Sequence, residues 1–392
     1  MINFDKLLET LPPSYALGLV AIAGVAVLGF GLIAVLILAL SRRSTEIGHL
    51  QGALEHASER ASKLEAGATE LVTAKAALDQ AIQLSDMAGG LWTRGPGLPP
   101  DNYEQRLADS IPILAIANLK GGVGKTTLAT NLAAYFDGRG ERVLLIDLDH
   151  QGSASSMALE GETLGRDLAV PGAITLLKGD WPRLQRMTRS TSNSELIDSY
   201  YPLLSEENRL MLQWLLGHAN DDARYRVADA LLGPRIQSVY DRVILDTPPR
   251  LTIGFVNALT AATHLIVPVQ LNGLSVAAVR SFCATLDAFR PVPMAAKTPM
   301  RVVGMQRKGS ADHPTVAEIT AVAEIDRLLA SRSLPPETFL RDAVLPAMED
   351  LQAMAGRGIA WQTIPSVRSE FDRLGEQIAR FAPSYAEEPE DP

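Results

Sequence analysis

Asn118-Leu-Lys-Gly-Gly-Val-Gly-Lys-Thr-Thr127 follows directly on the apolar run Ile113-Leu-Ala-Ile-Ala117 and leads into Leu128-Ala-Thr-Asn-Leu-Ala-Ala-Tyr-Phe136. The apolar run reads as a buried parallel strand and the segment after the glycines as a helix. Strand, glycine-rich turn and helix make the setting of a phosphate-binding loop. Gly121, Gly122 and Gly124 let the backbone turn tightly and aim N–H groups at phosphate oxygens, and the helix N-terminus adds the positive end of its dipole. Lys125 is placed to reach the β- and γ-phosphates and the Thr126 hydroxyl to bind Mg²⁺. Val123 and Thr127 complete the loop. The fold class expected is α/β, a doubly wound, mostly parallel sheet of P-loop type.

Further strands keep the same rhythm. Arg142-Val-Leu-Leu-Ile-Asp-Leu-Asp-His-Gln-Gly-Ser153 and Asp241-Arg-Val-Ile-Leu-Asp-Thr-Pro-Pro249 each run from apolar residues into acids. His264-Leu-Ile-Val-Pro-Val-Gln270 and Arg301-Val-Val-Gly-Met305 continue the series. An acid ending one strand is ordinarily a cap or turn residue. Two strands ending in acids, at the edge where a parallel sheet gathers its ligands, weigh for function. A metal on phosphate needs hard oxygen ligands, and phosphoryl transfer needs a carboxylate near the incoming water.

Leu119 stands where the generic loop has its first glycine, and a second lysine, Lys120, comes next. With the two acidic segments, this resembles the ParA/MinD family of deviant Walker A ATPases over roughly residues 111–382. The resemblance implies ATP and Mg²⁺ as ligands. It implies that Lys120 reaches across a homodimer to the partner's ATP, that Asp149 orients the attacking water, and that Asp147 and Asp246 hold Mg²⁺ through its water ligands. Pro346, in Ala343-Val-Leu-Pro-Ala347, resembles the proline beside the adenine. His150 replaces the family's usual proline and reads as a polar loop residue. The implied activity is slow hydrolysis of ATP to ADP and phosphate, stimulated by a protein partner. It would drive a dimerisation switch that recruits, positions or regulates that partner.

Ahead of this domain the composition shifts twice. Residues 15–40 carry no charge and are succeeded by Arg42 and Arg43. At about 1.5 Å per residue such a run crosses a bilayer core of about 30 Å, and the trailing arginines place the chain beyond residue 41 in the cytoplasm. The expectation is a single-pass protein of a bacterial cytoplasmic membrane, with a short external N-terminus at 1–14 and a transmembrane helix over 15–41. Over 44–88, positions 47, 50, 54, 57, 61, 64, 68, 71, 75, 78, 82 and 85 step by three and four, and ten of the twelve are apolar. That seam reads as a coiled-coil stalk pairing two chains, or as a lone amphipathic helix. Gly- and Pro-rich residues 89–112 read as a linker, 113–382 as the ATPase domain and 383–392 as an acidic tail.

Composition bounds the rest. The chain has 392 residues, 47% hydrophobic and 21% charged, enough for a substantial core. With 36 basic and 45 acidic residues, net −9, bulk charge does not indicate nucleic acid as a partner. One cysteine, Cys283, excludes an intrachain disulfide and a thiolate zinc cluster. Residues 154–235 are longer than a compact family member needs and read as a docking insertion or as extra helices on the sheet. A bacterial tyrosine kinase shares the P-loop, but only Tyr385 lies in the tail here. A nucleotide-binding scaffold without hydrolysis is disfavoured by Asp149 and Asp246.

Overall fold

The computed structural model describes residues 13–39, 44–85, 92, 99–160, 172–216, 221–288, 298–310, 312–354 and 357–384. The chain divides into two units, Met1–Asp79 and Gln80–Pro392. Two helices make up the described part of the first, α1 (Pro13–Ala39) and α2, which begins there and runs on (Ser44–Ser85). Ala57, Ala61 and Leu64 of the α2 seam line a groove of about 670 Å³ whose other wall includes Ile22, Val25 and Phe30 of α1. Part of the seam is therefore turned toward the same chain's own apolar helix. Leu64 and Leu71 nevertheless keep more than half their surface exposed.

The membrane expectation is corrected. Among the described residues no helix is long and apolar enough to cross a membrane. The assignment of the chain to a bacterial cytoplasmic membrane as a single-pass protein is withdrawn on that finding.

The second unit opens with α3 (Tyr103–Ala108) and then alternates strands and helices. In order these are β1 (Ile113–Ile116), α4 (Lys125–Gly138), β2 (Val143–Asp147), α5 (Ser153–Ala158), β3 (Gln185–Arg186), β4 (Glu195–Ile197), α6 (Pro202–Leu215), β5 (Arg242–Asp246), α7 (Ile253–Ala261), β6 (His264–Gln270), α8 (Gly273–Ala288), β7 (Met300–Met305), α9 (Val316–Ser331) and α10 (Pro365–Phe381), with shorter helices between. The seven strands form one sheet in the order β3-β4-β2-β5-β1-β6-β7, parallel except for the β3–β4 pair. β1, β2 and β5 are buried at every position, which is why they read as unbroken apolar runs. The register sets Asp147 of β2 directly beside Asp246 of β5 at the C-terminal edge.

Residues 89–112 are not the plain linker expected. Trp92, Tyr103, Leu107 and Ile111 are all buried in the core on one side of the sheet. Trp92 stacks on Trp214 of α6, centroids 5.9 Å apart and planes 12° from parallel. The 154–235 region likewise packs inward: Leu196, Ile197, Leu203 and Leu210 are buried, so its described part belongs to the domain core. On the opposite face α10 buries Phe371, Leu374 and Ile378. Gly375 lets it approach α4 so closely that a Cβ there would sit 2.3 Å from the Tyr135 ring.

Candidate nucleotide site

The loop between β1 and α4 is held before any ligand arrives. Asn118, fully buried, donates from Nδ2 to the Pro268 carbonyl at 2.8 Å, and its Oδ1 accepts the Lys120 N–H at 2.9 Å. Gly122 and Gly124 adopt φ of 73° and 94°, the left-handed region that a Cβ makes costly. At Gly124 a Cβ would also meet the Met305 methyl at 2.8 Å. Gln270 Nε2 donates to the Gly122 carbonyl at 3.0 Å and to Gln306 Oε1 at 2.8 Å, tying the loop to the ends of β6 and β7.

Lys125 is 7% exposed, and its Nζ donates back to the Lys120 carbonyl at 3.1 Å, closing the loop on itself. Burial lowers the pKa of this ammonium, while Asp246 and Asp149 pull it up. Lys125 thus lies among acids rather than in solvent. Gly121, Gly122, Gly124, Lys125, Thr126 and Thr127 line a cavity of about 440 Å³, closed on its other sides by Asp149, Gln151, Ser153, Ser156, Met157, Pro249 and Gln306. Val123 is buried beneath it. Lys120 and Pro346 do not line it; Pro346 pairs with Arg307, one residue beyond Gln306.

The two strand-end acids have different surroundings. Asp147 uses both oxygens within the protein: Oδ1 accepts the Asp149 N–H at 3.0 Å, and Oδ2 accepts the Ser155 N–H at 2.9 Å and hydroxyl at 2.8 Å. Burial pushes its pKa up to about 7 against the pull of those bonds. Asp246 is equally buried, yet among the described residues neither of its carboxylate oxygens accepts a hydrogen bond of normal geometry. Burial and then the Asp147 charge hold its carboxyl well above the usual carboxylate range; Thr126 and Lys125 oppose the shift. An orphaned buried carboxylate beside a threonine hydroxyl is an oxygen donor set that fits a hard divalent cation.

Asp149, 9% exposed, accepts the Gln151 N–H on Oδ1 at 3.0 Å. The sequence reading did not single out Asn118, Ser155, Gln270, Gln306 or Glu207. Glu207 of α6 is buried, accepts the Gly254 N–H at 2.8 Å and thereby braces the turn after β5. Its carboxyl is raised by burial, with a further push from Asp149.

Residues 111–294 match the family model described as an AAA domain. The chromosome partitioning protein ParA of Caulobacter vibrioides is 34% identical over 186 residues, covering 47% of this chain and 65% of that protein. The chromosome-partitioning ATPase Soj of Thermus thermophilus is 35% identical over 178 residues, covering 45% of this chain and 62% of that one. The similarity therefore spans somewhat less than two thirds of these relatives. Among solved structures, a Cyanothece McdA variant in complex with ATP aligns with a TM-score of 0.56 at 19% identity, covering 69% of this chain and 97% of that one. A putative plasmid partition protein of Borrelia burgdorferi bound to AMPPNP aligns with a TM-score of 0.52 at 21% identity, covering 70% and 100%.

The fold of the second unit is the one shared with these solved structures. In this domain the glycine-rich loop and Asp149 line one cavity, whereas Asp147, Asp246, Lys120 and Pro346 are not among its lining residues.

Proposed function

We propose that this chain is a ParA-like ATPase that binds Mg·ATP, closes into a homodimer on it and hydrolyses it slowly, so that nucleotide state sets where a partner is held. The observation that carries this reading is the cavity uniting the glycine-rich loop with Asp149, next to Thr126, whose neighbour Asp246 has no hydrogen bond of normal geometry among the described residues. Backbone N–H groups of 121–126 and the N-terminus of α4 take the β- and γ-phosphates, and Lys125 supplies the compensating charge. Thr126 and Asp246 hold Mg²⁺, which when bound neutralises charge on the phosphate oxygens. Asp147, its oxygens already accepting from Asp149 and Ser155, lies beside Asp246 and fixes the turn from Asp149 to Ser155. Asp149 orients water for in-line attack on the γ-phosphorus; the P–O bond to ADP breaks as the new one forms.

Lys120, outside its own cavity, is assigned to the partner's nucleotide, and Pro346 to the adenine edge beside Gln306. Intrinsic turnover is slow because such a site is completed by its partner. The exposed seam leucines of α2, Leu64 and Leu71, support a second dimer contact. Disulfide formation by Leu71→Cys in the intact chain tests it, since Cys283 is buried.

A phosphate-release assay with a nucleotide-binding titration tests the ATPase reading. Asp149→Ala is expected to keep ATP bound and the dimer closed while abolishing release, Lys125→Ala to weaken nucleotide binding itself, and Lys120→Ala to prevent closure. Equal loss of ATP affinity in the Asp149 and Lys125 variants would contradict these roles.

A further inference from the structure

His150 is attached to the reaction by geometry that its reading as a loop residue does not explain. The ring is 7% exposed and stands edge-on to Tyr201 at the start of α6, centroids 6.5 Å apart. Its Nε2 lies 2.9 Å from Gln151 Nε2, and its Nδ1 lies 3.4 Å from Asp149 Oδ1. A carboxamide nitrogen only donates, so the imidazole Nε2 is the acceptor and the proton of the neutral ring sits on Nδ1. Nδ1 lies within ion-pair distance of Asp149 Oδ1 without forming a hydrogen bond, and it has no hydrogen-bond partner among the described residues. The Gln151 backbone N–H donates to the same oxygen, Oδ1.

We propose, resting on the ATPase reading above, that His150 is a positioning residue that holds Asp149 by one carboxylate oxygen and so presents the other to the attacking water. Both neighbours engage Oδ1, which leaves Oδ2 as the oxygen for the water in the cavity that Asp149 lines. The 3.4 Å separation is longer than a good hydrogen bond; such contacts lengthen in the empty site and tighten when substrate binds. A small turn of the carboxylate closes it. Tyr201 and Gln151 fix the ring, so Asp149 turns toward His150 rather than the reverse.

The test uses the full chain and separates turnover from affinity. His150→Ala is expected to lower the single-turnover rate of ATP hydrolysis by up to about a hundredfold, the scale of a displaced catalytic group, with ATP affinity within about twofold of wild type. His150→Asn, whose amide nitrogen reaches the place of Nδ1, should recover most of the rate. His150→Gln, which reaches the place of Nε2, should not. An unchanged rate in the alanine variant, or equal rescue by Gln and Asn, overturns the proposal while leaving the ATPase reading standing. A wild-type chain without turnover overturns both. Nitrogen-15 spectra of labelled histidine, assigned by difference with the Asn variant, give a readout independent of hydrolysis: an Nδ1-protonated ring is expected, and an Nε2-protonated one overturns the proposal.

Discussion

Arg242 and Glu141 form an ion pair sealed in the interior. Arg242 Nε donates to Glu141 Oε2 at 2.8 Å and Nη2 to Oε1 at 3.2 Å, with the arginine side chain fully buried and the glutamate nearly so. Nη1 donates to the Ala382 carbonyl at 2.8 Å, and the guanidinium lies 3.8 Å from the Phe136 ring centroid. The pair joins the start of β5, the turn after α4 and the end of α10.

Breaking such a pair strands a buried charge. Glu141→Ala is expected to cost about 3–5 kcal/mol, and the double replacement Glu141→Leu with Arg242→Met much less, since an apolar pair of similar volume leaves no charge behind. Urea unfolding of the two variants checks this; equal losses would mean that the charge is not the cause.

Beside Arg242 lies His264, its pKa lowered to about 4 by burial and by the charges of Arg242 and Arg301. Unfolded, the ring titrates near 6.5. Below that pH the unfolded chain takes up a proton that the folded ring refuses. This contribution to stability is therefore complete above about 6.5, is lost as pH falls toward about 4 and is constant below. His264→Phe should remove it, so the urea midpoints at pH 7.5 and pH 5 should differ less in the variant than in wild type.

Gly375→Ala sets helix propensity against packing. Alanine favours the helix by about 1 kcal/mol. The added Cβ would overlap the Tyr135 ring at 2.3 Å, an overpacking cost of about 1–3 kcal/mol. Packing should win and the melting temperature fall, and a second change, Tyr135→Leu, should recover part of the loss.

Asp246→Asn should reduce the loss of ligand-free stability that rising pH brings, because burial and the Asp147 charge make this carboxyl costlier to ionise folded than unfolded. The same variant should lose Mg²⁺-dependent tightening of ATP binding. An unchanged pH dependence of the melting temperature would show that the carboxylate is compensated in a way the empty site does not display.

Trp214→Ala should free the segment around Trp92. The stack, together with Arg224 lying 5.2 Å from the Trp214 ring centroid, is worth about 2 kcal/mol. The fluorescence of Trp92, buried in the wild type, should then shift to the red in the variant.

Local pattern carried the phosphate loop, its flanking strand and helix, and the acidic strand ends. Each of these lies within a few consecutive residues whose backbone preferences and side chains are legible together: Gly122 and Gly124 where φ is positive, Lys125 and Thr126 at the helix start, unbroken apolar runs in β2 and β5. The mostly parallel sheet came from those runs alternating with helices. The apolar length of α1 was equally legible, and the span inferred from it is what the described helix does not bear out. Only the tertiary structure decided how the pieces meet. It set Asp147 beside Asp246, gave Asp147 to Asp149 and Ser155 while leaving Asp246 without a hydrogen bond of normal geometry among the described residues, and brought Asn118 to Pro268 and Glu207 to Gly254. It also put Trp92 into the core from a glycine- and proline-rich stretch and recruited strands of two and three residues at the sheet edge. Most of these pairings close loops of tens to more than a hundred residues, and register and burial select them only once the sheet exists.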